Sequence, residues 1–149
     1  MTYTATVVVI GIGSPFGADT LGWQVVEQLK SQQPSLNNNV RLETCDRPGT
    51  LLLDYMKGAR KAILVDAIEG GTPGNVRSIS KESLLQHATP KSSHQIGVAE
   101  TLALGEKLCL IPHELLLMGI EVGNSSVSYH TDQQSIQKIL LLISNEIEQ

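Results

Sequence analysis

Three side chains in this 149-residue chain have the types and positions that could hold a divalent transition metal: Asp19, Asp66 and His94. Two carboxylates and one imidazole form a facial ligand set suited to Ni, Fe, Zn or Mn, and ligand type alone does not choose among them. Each residue also has a structural alternative. Asp19 could be a helix N-cap that accepts amide hydrogens of the first turn. Asp66 could cap the turn that follows it through an Asx-type hydrogen bond. His94 could be a loop histidine without a role. What favours the joint reading is placement, which depends on the elements that carry the three residues.

Residues 5–12, Ala-Thr-Val-Val-Val-Ile-Gly-Ile, form a short β-branched run of the kind buried on both faces in a parallel sheet. Leu21, Val25, Val26 and Leu29 then recur at helical spacing and predict an amphipathic helix over about 19–33. A second strand is expected at 40–44, ending at Cys45, and a short helix over 49–58. Residues 61–66 predict a third, buried strand ending in Asp66. The cluster Gly70-Gly71-Thr72-Pro73-Gly74 is a turn, 75–79 alternates as a strand near an edge, and 82–87 forms a helical turn or two. A loop at 90–94 leads into a helix over about 95–109, with Ile96, Ala99, Leu102, Ala103 and Leu104 as its apolar side. A buried strand at 115–122 and a closing helix at about 132–147 complete the chain.

Strands alternating with helices imply an α/β fold: a single-domain, three-layer α/β/α arrangement, its twisted and mostly parallel sheet flanked by helices. The whole of 1–149 is expected to be one domain, since no repeat or linker interrupts it. In such folds sites form outside the carboxyl ends of the strands. Asp66 at a strand end, Asp19 on the loop after the first strand and His94 on a strand-to-helix loop then share one rim of the sheet.

Composition narrows the function. Eleven Lys and Arg against 15 Asp and Glu give a net charge of −4, and no basic cluster exists to neutralise phosphates, so nucleic-acid binding is not expected. No apolar run approaches the roughly 20 residues that cross a bilayer, so no membrane association is expected. Met1-Thr2-Tyr3-Thr4-Ala5 lacks the basic start and apolar stretch of a signal peptide. Cys45 and Cys109 have no motif spacing and fit free thiols in a reducing cytoplasm, with Cys109 expected in the core of the late helix. No long apolar stripe demands a dimer, so a monomer is expected. His87, His113 and His130 carry no signal beyond solvent-facing positions.

Other chemistries fare worse. Gly11-Ile12-Gly13-Ser14-Pro15-Phe16-Gly17 begins like a dinucleotide fingerprint, but its third glycine is one residue late and Pro15 removes an amide hydrogen. The glycines read better as a tight turn that lets a partner approach the backbone. There is no G-x-S-x-G elbow, no H-E-x-x-H and no C-x-x-C.

Several segments in order resemble the hydrogenase maturation proteases, endopeptidases that trim the C-terminus of the nickel-iron hydrogenase large subunit. They are Val8-Val9-Ile10-Gly11-Ile12-Gly13, Asp19-Thr20-Leu21-Gly22, Ala62-Ile63-Leu64-Val65-Asp66-Ala67, Ser93-His94-Gln95 and Leu117-Met118-Gly119-Ile120-Glu121. The similarity spans about residues 5–123. It implies a twisted sheet between helices and a protease that acts on a precursor already holding nickel. Matched by motif, Asp19, Asp66 and His94 fall on the two acids and the histidine thought to contact that nickel. Ser14 stands where the family usually has asparagine, and Thr20 follows Asp19 where it usually has a second acid. The family's Asp-Gly-Gly-Thr appears as Asp46-Arg47-Pro48-Gly49-Thr50.

The resemblance implies an aspartic-type, nickel-dependent endopeptidase with no covalent nucleophile. Its partner would be the large-subunit precursor, which supplies the nickel. Asp19 and Asp66 would be catalytic, and both would join His94 in contacting the metal. The alternatives are a non-catalytic relative that binds the precursor, a nucleotide- or phosphate-binding enzyme using the Gly11–Gly17 turn, and a stand-alone metal hydrolase.

Overall fold

The computed structural model describes residues 6–13, 20–32, 39–47, 49–86, 97–123 and 133–148. Five strands form one sheet: β1 (Thr6–Gly13), β2 (Val40–Asp46), β3 (Ala59–Ile68), β4 (Val76–Ser80) and β5 (Glu114–Glu121). Their order is β2-β1-β3-β5-β4. The first four in that order are parallel, and β4 pairs antiparallel with β5 at the edge. The helices are α1 (Leu21–Ser31), α2 (Thr50–Tyr55), α3 (Lys81–Gln86), α4 (Val98–Lys107) and α5 (Gln133–Ile147).

Strand alternation divides the core into two layers. Val7 and Val9 of β1, Ile63 and Val65 of β3, and Met118 and Ile120 of β5 face one side. They pack there against Val25, Val26 and Leu29 of α1 and Ile136, Ile139, Leu140 and Ile143 of α5. Val8, Ile10, Leu64 and Leu117 face the other side, against Leu52 and Leu53 of α2, Leu84 of α3 and Leu102 of α4. The sheet therefore lies between two helical layers, as its continuous apolar strands require.

Most element boundaries fall within two or three residues of the expected ones. The differences have physical causes. β1 runs through Gly13, so Gly11 and Gly13 are strand residues, and the chain's own helix makes the close approach. A Cβ on Gly11 would overlap the carbonyl of Gly22 in α1. β3 continues two residues past Asp66, because Val122 N–H donates to Ile68 O at 2.9 Å. β2 likewise runs through Cys45 to Asp46.

α4 ends at Lys107, so Cys109 is outside the helix. It is exposed, with a left-handed φ of 57°, and not in the core as expected. Leu104 is 49% exposed and does not belong to the buried side of α4, which is built on Thr101, Leu102 and Gly105. Ile96 lies outside the described residues.

Candidate active site

The C-terminal edge of the sheet carries a topological switch. From β1 the chain crosses to β2 on one side, and from β3 it passes to the edge strand β4 and then back to β5 on the other. Ligands in open α/β sheets bind where the strand order reverses in this way. Asp66 stands on β3 at that place. It is the first part-exposed residue after the buried run 61–65. Its neighbour in register on β5 is Gly119, which brings no side chain beside it. Ala67 N–H donates to Asp66 Oδ1 at 2.8 Å, which fixes the carboxylate against the strand's own backbone. This bond to the next residue's amide is the shortest form of the turn-capping alternative, made within the strand.

The opposite wall of the switch is the first turn of α1. Gly22 lies so close to the sheet that a Cβ would stand 2.5 Å from Val65 O and 2.8 Å from Ile12 N. α1 thus starts in contact with the residue that precedes Asp66. The N-cap position is Thr20, which makes no side-chain capping hydrogen bond. Trp23 Nε1 donates to Cys45 O at 3.0 Å and pins the same helix to β2. Arg47 N–H donates to Gly13 O at 2.8 Å and closes β1 against β2. Asp19 and His94 lie outside the described residues, as do His87 and His130. Asp19 is one residue upstream of Thr20, and His94 is three upstream of Gly97, the N-cap of α4. Gly97 N–H donates to Glu100 Oε1 at 3.2 Å, so that helix start has its own acidic cap. Among the described residues no group of three His, Cys, Asp or Glu is placed to hold a metal ion.

Glu121, at the end of β5, organises the rim beside Asp66 and was not singled out as a site residue from sequence. It is 7% exposed. Asn75 Nδ2 donates to its Oε1 at 2.7 Å and Thr72 N–H to the same oxygen at 3.3 Å. Arg77 Nη1 is 3.7 Å from Oε2. The Asn75 hydrogen bond, helped by Thr72 N–H and Arg77, outweighs desolvation and holds this carboxyl below the ordinary glutamate value. Backbone bonds between Glu121 and both Gly74 and Asn75, each 2.8 Å, fasten the same turn. The available signal was the one that marked Asp66: an acid closing a buried run. Cys45 is buried, and desolvation, with Asp46 nearby, raises its thiol to about 11, so it is no nucleophile.

A mostly parallel sheet between two helical layers, with a part-exposed acid at its switch point, makes this an α/β protein. The chain belongs to the hydrogenase maturation protease family, whose model matches residues 23–148. Asp66 and His94 fall within the matched residues and Asp19 lies upstream of them.

Two curated relatives are hydrogenase expression/formation proteins named HupD. The one from Thiocapsa roseopersicina is 31% identical over 119 residues, 77% of this chain and 53% of the relative. The one from Rhodobacter capsulatus is 29% identical over 119 residues, 77% of this chain and 56% of the relative. The chain thus spans about half the length of the curated relatives it matches.

The fold is similar to that of the hydrogenase maturating endopeptidase HybD from E. coli: TM-score 0.73, 23% identity, 96% of this chain and 92% of the other covered. It is also similar to the hydrogenase maturation protease HycI from Thermococcus kodakarensis, with TM-score 0.69 and 19% identity over 97% of this chain and 94% of the other. Among the described residues no helix is long and apolar enough to cross a membrane.

Proposed function

We propose that this chain is an endopeptidase that removes a C-terminal peptide from the nickel-loaded large-subunit precursor of a nickel-iron hydrogenase, in the cytoplasm and as a monomer. Membership of the hydrogenase maturation protease family carries the reading. The position of Asp66 at the switch point supports it, because that is where this class of sheet presents chemistry to a substrate.

The nickel belongs to the precursor and is part of the substrate. Its donors on this chain are Asp19, Asp66 and His94. An open carboxylate and imidazole set suits such a metal, and the precursor's own ligands complete the coordination. Asp66 and Asp19 are the catalytic acids of the proposal. A carboxylate beside the scissile bond takes a proton from the attacking water and returns it to the leaving amine. Water is the nucleophile, in keeping with the neutral thiol of buried Cys45. The glycine at position 119 gives the space beside Asp66 on β5 to the Ile68 side chain.

The test is the intact mass of a cognate precursor, with and without nickel and with and without this chain. A C-terminal mass loss that needs both supports the proposal. Asp66→Asn preserves the shape and should abolish the loss while leaving the far-ultraviolet circular dichroism unchanged. Binding of nickel-loaded precursor with no mass change would replace the protease with the precursor-binding relative. Cleavage by Asp66→Asn at the wild-type rate would remove Asp66 from the catalytic assignment.

A further inference from the structure

We propose, resting on the endopeptidase reading, that Ile68 is a specificity-determining residue: it takes an apolar side chain of the precursor's peptide beside the scissile bond. Ile68 stands two residues beyond Asp66 on β3, so both face the same side of the sheet. On that side the packed apolar layer ends with Leu64, Leu117 and Ile79, which lie in register across β3, β5 and β4. The next row is Asp66, Gly119 and Arg77.

Gly119 gives Ile68 its position. A Cβ on Gly119 would overlap Cδ1 and Cγ1 of Ile68, so the isoleucine leans across the strand into the space that the glycine leaves empty. Its tip therefore lies about one strand spacing, roughly 4.8 Å, from the row position of Asp66. Filling the gap over Gly119 accounts for the inner surface of the side chain. Its outer surface is part-exposed, and Ile68 belongs to neither core layer among the described residues. Leu64 and Leu117, one row below, are buried in theirs.

The patch is narrow because charged groups bound it. Asp66 lies on one side. Arg77 and Glu121, 3.7 Å apart, lie on the other. An apolar side chain laid on Ile68 removes apolar surface of both partners from water and fixes the peptide next to Asp66. A polar side chain there would lose water to a surface that offers it no hydrogen bond, so the patch selects against it. An extended peptide advances about 3.3 Å per residue, which places the selected side chain within about two residues of the scissile bond.

The test is kcat/KM for cleavage of the nickel-loaded cognate precursor, with its apolar residues within two positions of the cut changed one at a time to serine and to phenylalanine. With the wild-type chain, one serine variant should lose roughly 10- to 200-fold. Ile68→Ala should lose a similar factor on the natural precursor, and the two changes together should lose little more than either alone. Phenylalanine at that same position should be cleaved faster by Ile68→Ala than by the wild-type chain, a change of preference that a merely structural isoleucine would not produce. A precursor with no apolar residue in that window, losses that multiply at every position, or an unchanged phenylalanine preference would overturn the role of Ile68 while leaving the endopeptidase reading intact. No cleavage of a confirmed nickel-loaded precursor by the wild-type chain would overturn both. Should Ile68→Ala not fold, Ile68→Val must show the same preference change in smaller degree.

Discussion

Gly22→Ala reverses the sign usually expected of its substitution. Gly22 lies inside α1, where alanine ordinarily stabilises a helix by about 1 kcal/mol. Here the new methyl would overlap Ile12 O and stand 2.5 Å from Val65 O and 2.8 Å from Ile12 N. All three atoms are backbone of the central strands β1 and β3, and no rotamer change relieves them. Bringing the Val65 contact to an ordinary 3.4 Å requires the start of α1 to rise by about 1 Å. That loosens the packing of Leu21, Val25, Val26 and Leu29, all buried. Overpacking costs about 1–3 kcal/mol, and an unyielding neighbour belongs at the top of that range. After the propensity gain, a net loss of about 2 kcal/mol remains. Urea unfolding reads this as a midpoint about 1 M lower, for a slope near 2 kcal/mol/M. Gly105→Ala, in α4, is the control. Its methyl would meet Leu53 Cδ2 at 2.6 Å and Ile111 Cγ2 at 2.7 Å, both ends of side chains that can turn aside. It should cost less than Gly22→Ala. A Gly22→Ala midpoint equal to or above wild type, or a larger loss for Gly105→Ala, would refute the reasoning. If the proposed endopeptidase activity holds, the shift alters the wall beside Asp66, and cleavage by folded Gly22→Ala should fall by up to roughly 10²-fold.

Lys61 and Glu146 should respond unequally. Glu146→Ala strands a buried ammonium and should cost about 3 kcal/mol, whereas Lys61→Met should cost less, as urea midpoints would show. Iodoacetamide at pH 8 should add one group, on exposed Cys109, because burial raises Cys45 to about 11; a second adduct on the folded protein would contradict that burial. Glu121 is held below the ordinary value by Asn75 first, so the folded state binds its proton less readily than the unfolded chain. Its stabilisation is complete above the unfolded value of about 4.3 and is lost as pH falls through the folded one. Glu121→Gln should therefore be less stable at neutral pH and flatter in its acid unfolding curve, and parallel curves would refute the assignment.

The layers were legible because their signals are local. The run 61–65 is buried throughout, and α5 repeats its apolar residues at helical spacing, so strand and helix declared themselves without tertiary information. Asp66 was legible for the same reason: a polar residue closing an apolar run marks where a strand meets solvent. What escaped depends on partners far away in sequence. Glu121 acts through Asn75 and Thr72, 46 and 49 residues distant. Lys81 ranks among ordinary surface lysines until the fold buries it. His113, read as solvent-facing, is exposed. Cys109 was misplaced because α4 stops at Lys107 and the chain then takes a left-handed turn that apolar periodicity does not report.

The glycine run after the first strand shows how the same residues serve two opposed readings. In a phosphate-binding loop, glycine lets a ligand approach the backbone. Here the approach is already used. Gly11 admits the backbone of α1 at Gly22, and Gly22 in turn rests on Ile12 and Val65. Two glycines on facing elements remove the Cβ layer that normally separates a helix from a sheet. The amides of that contact are enclosed by the chain and cannot cradle a phosphate. Among the described residues, the chemistry at this rim then comes from side chains at its margin, and Asp66 is a part-exposed acid there.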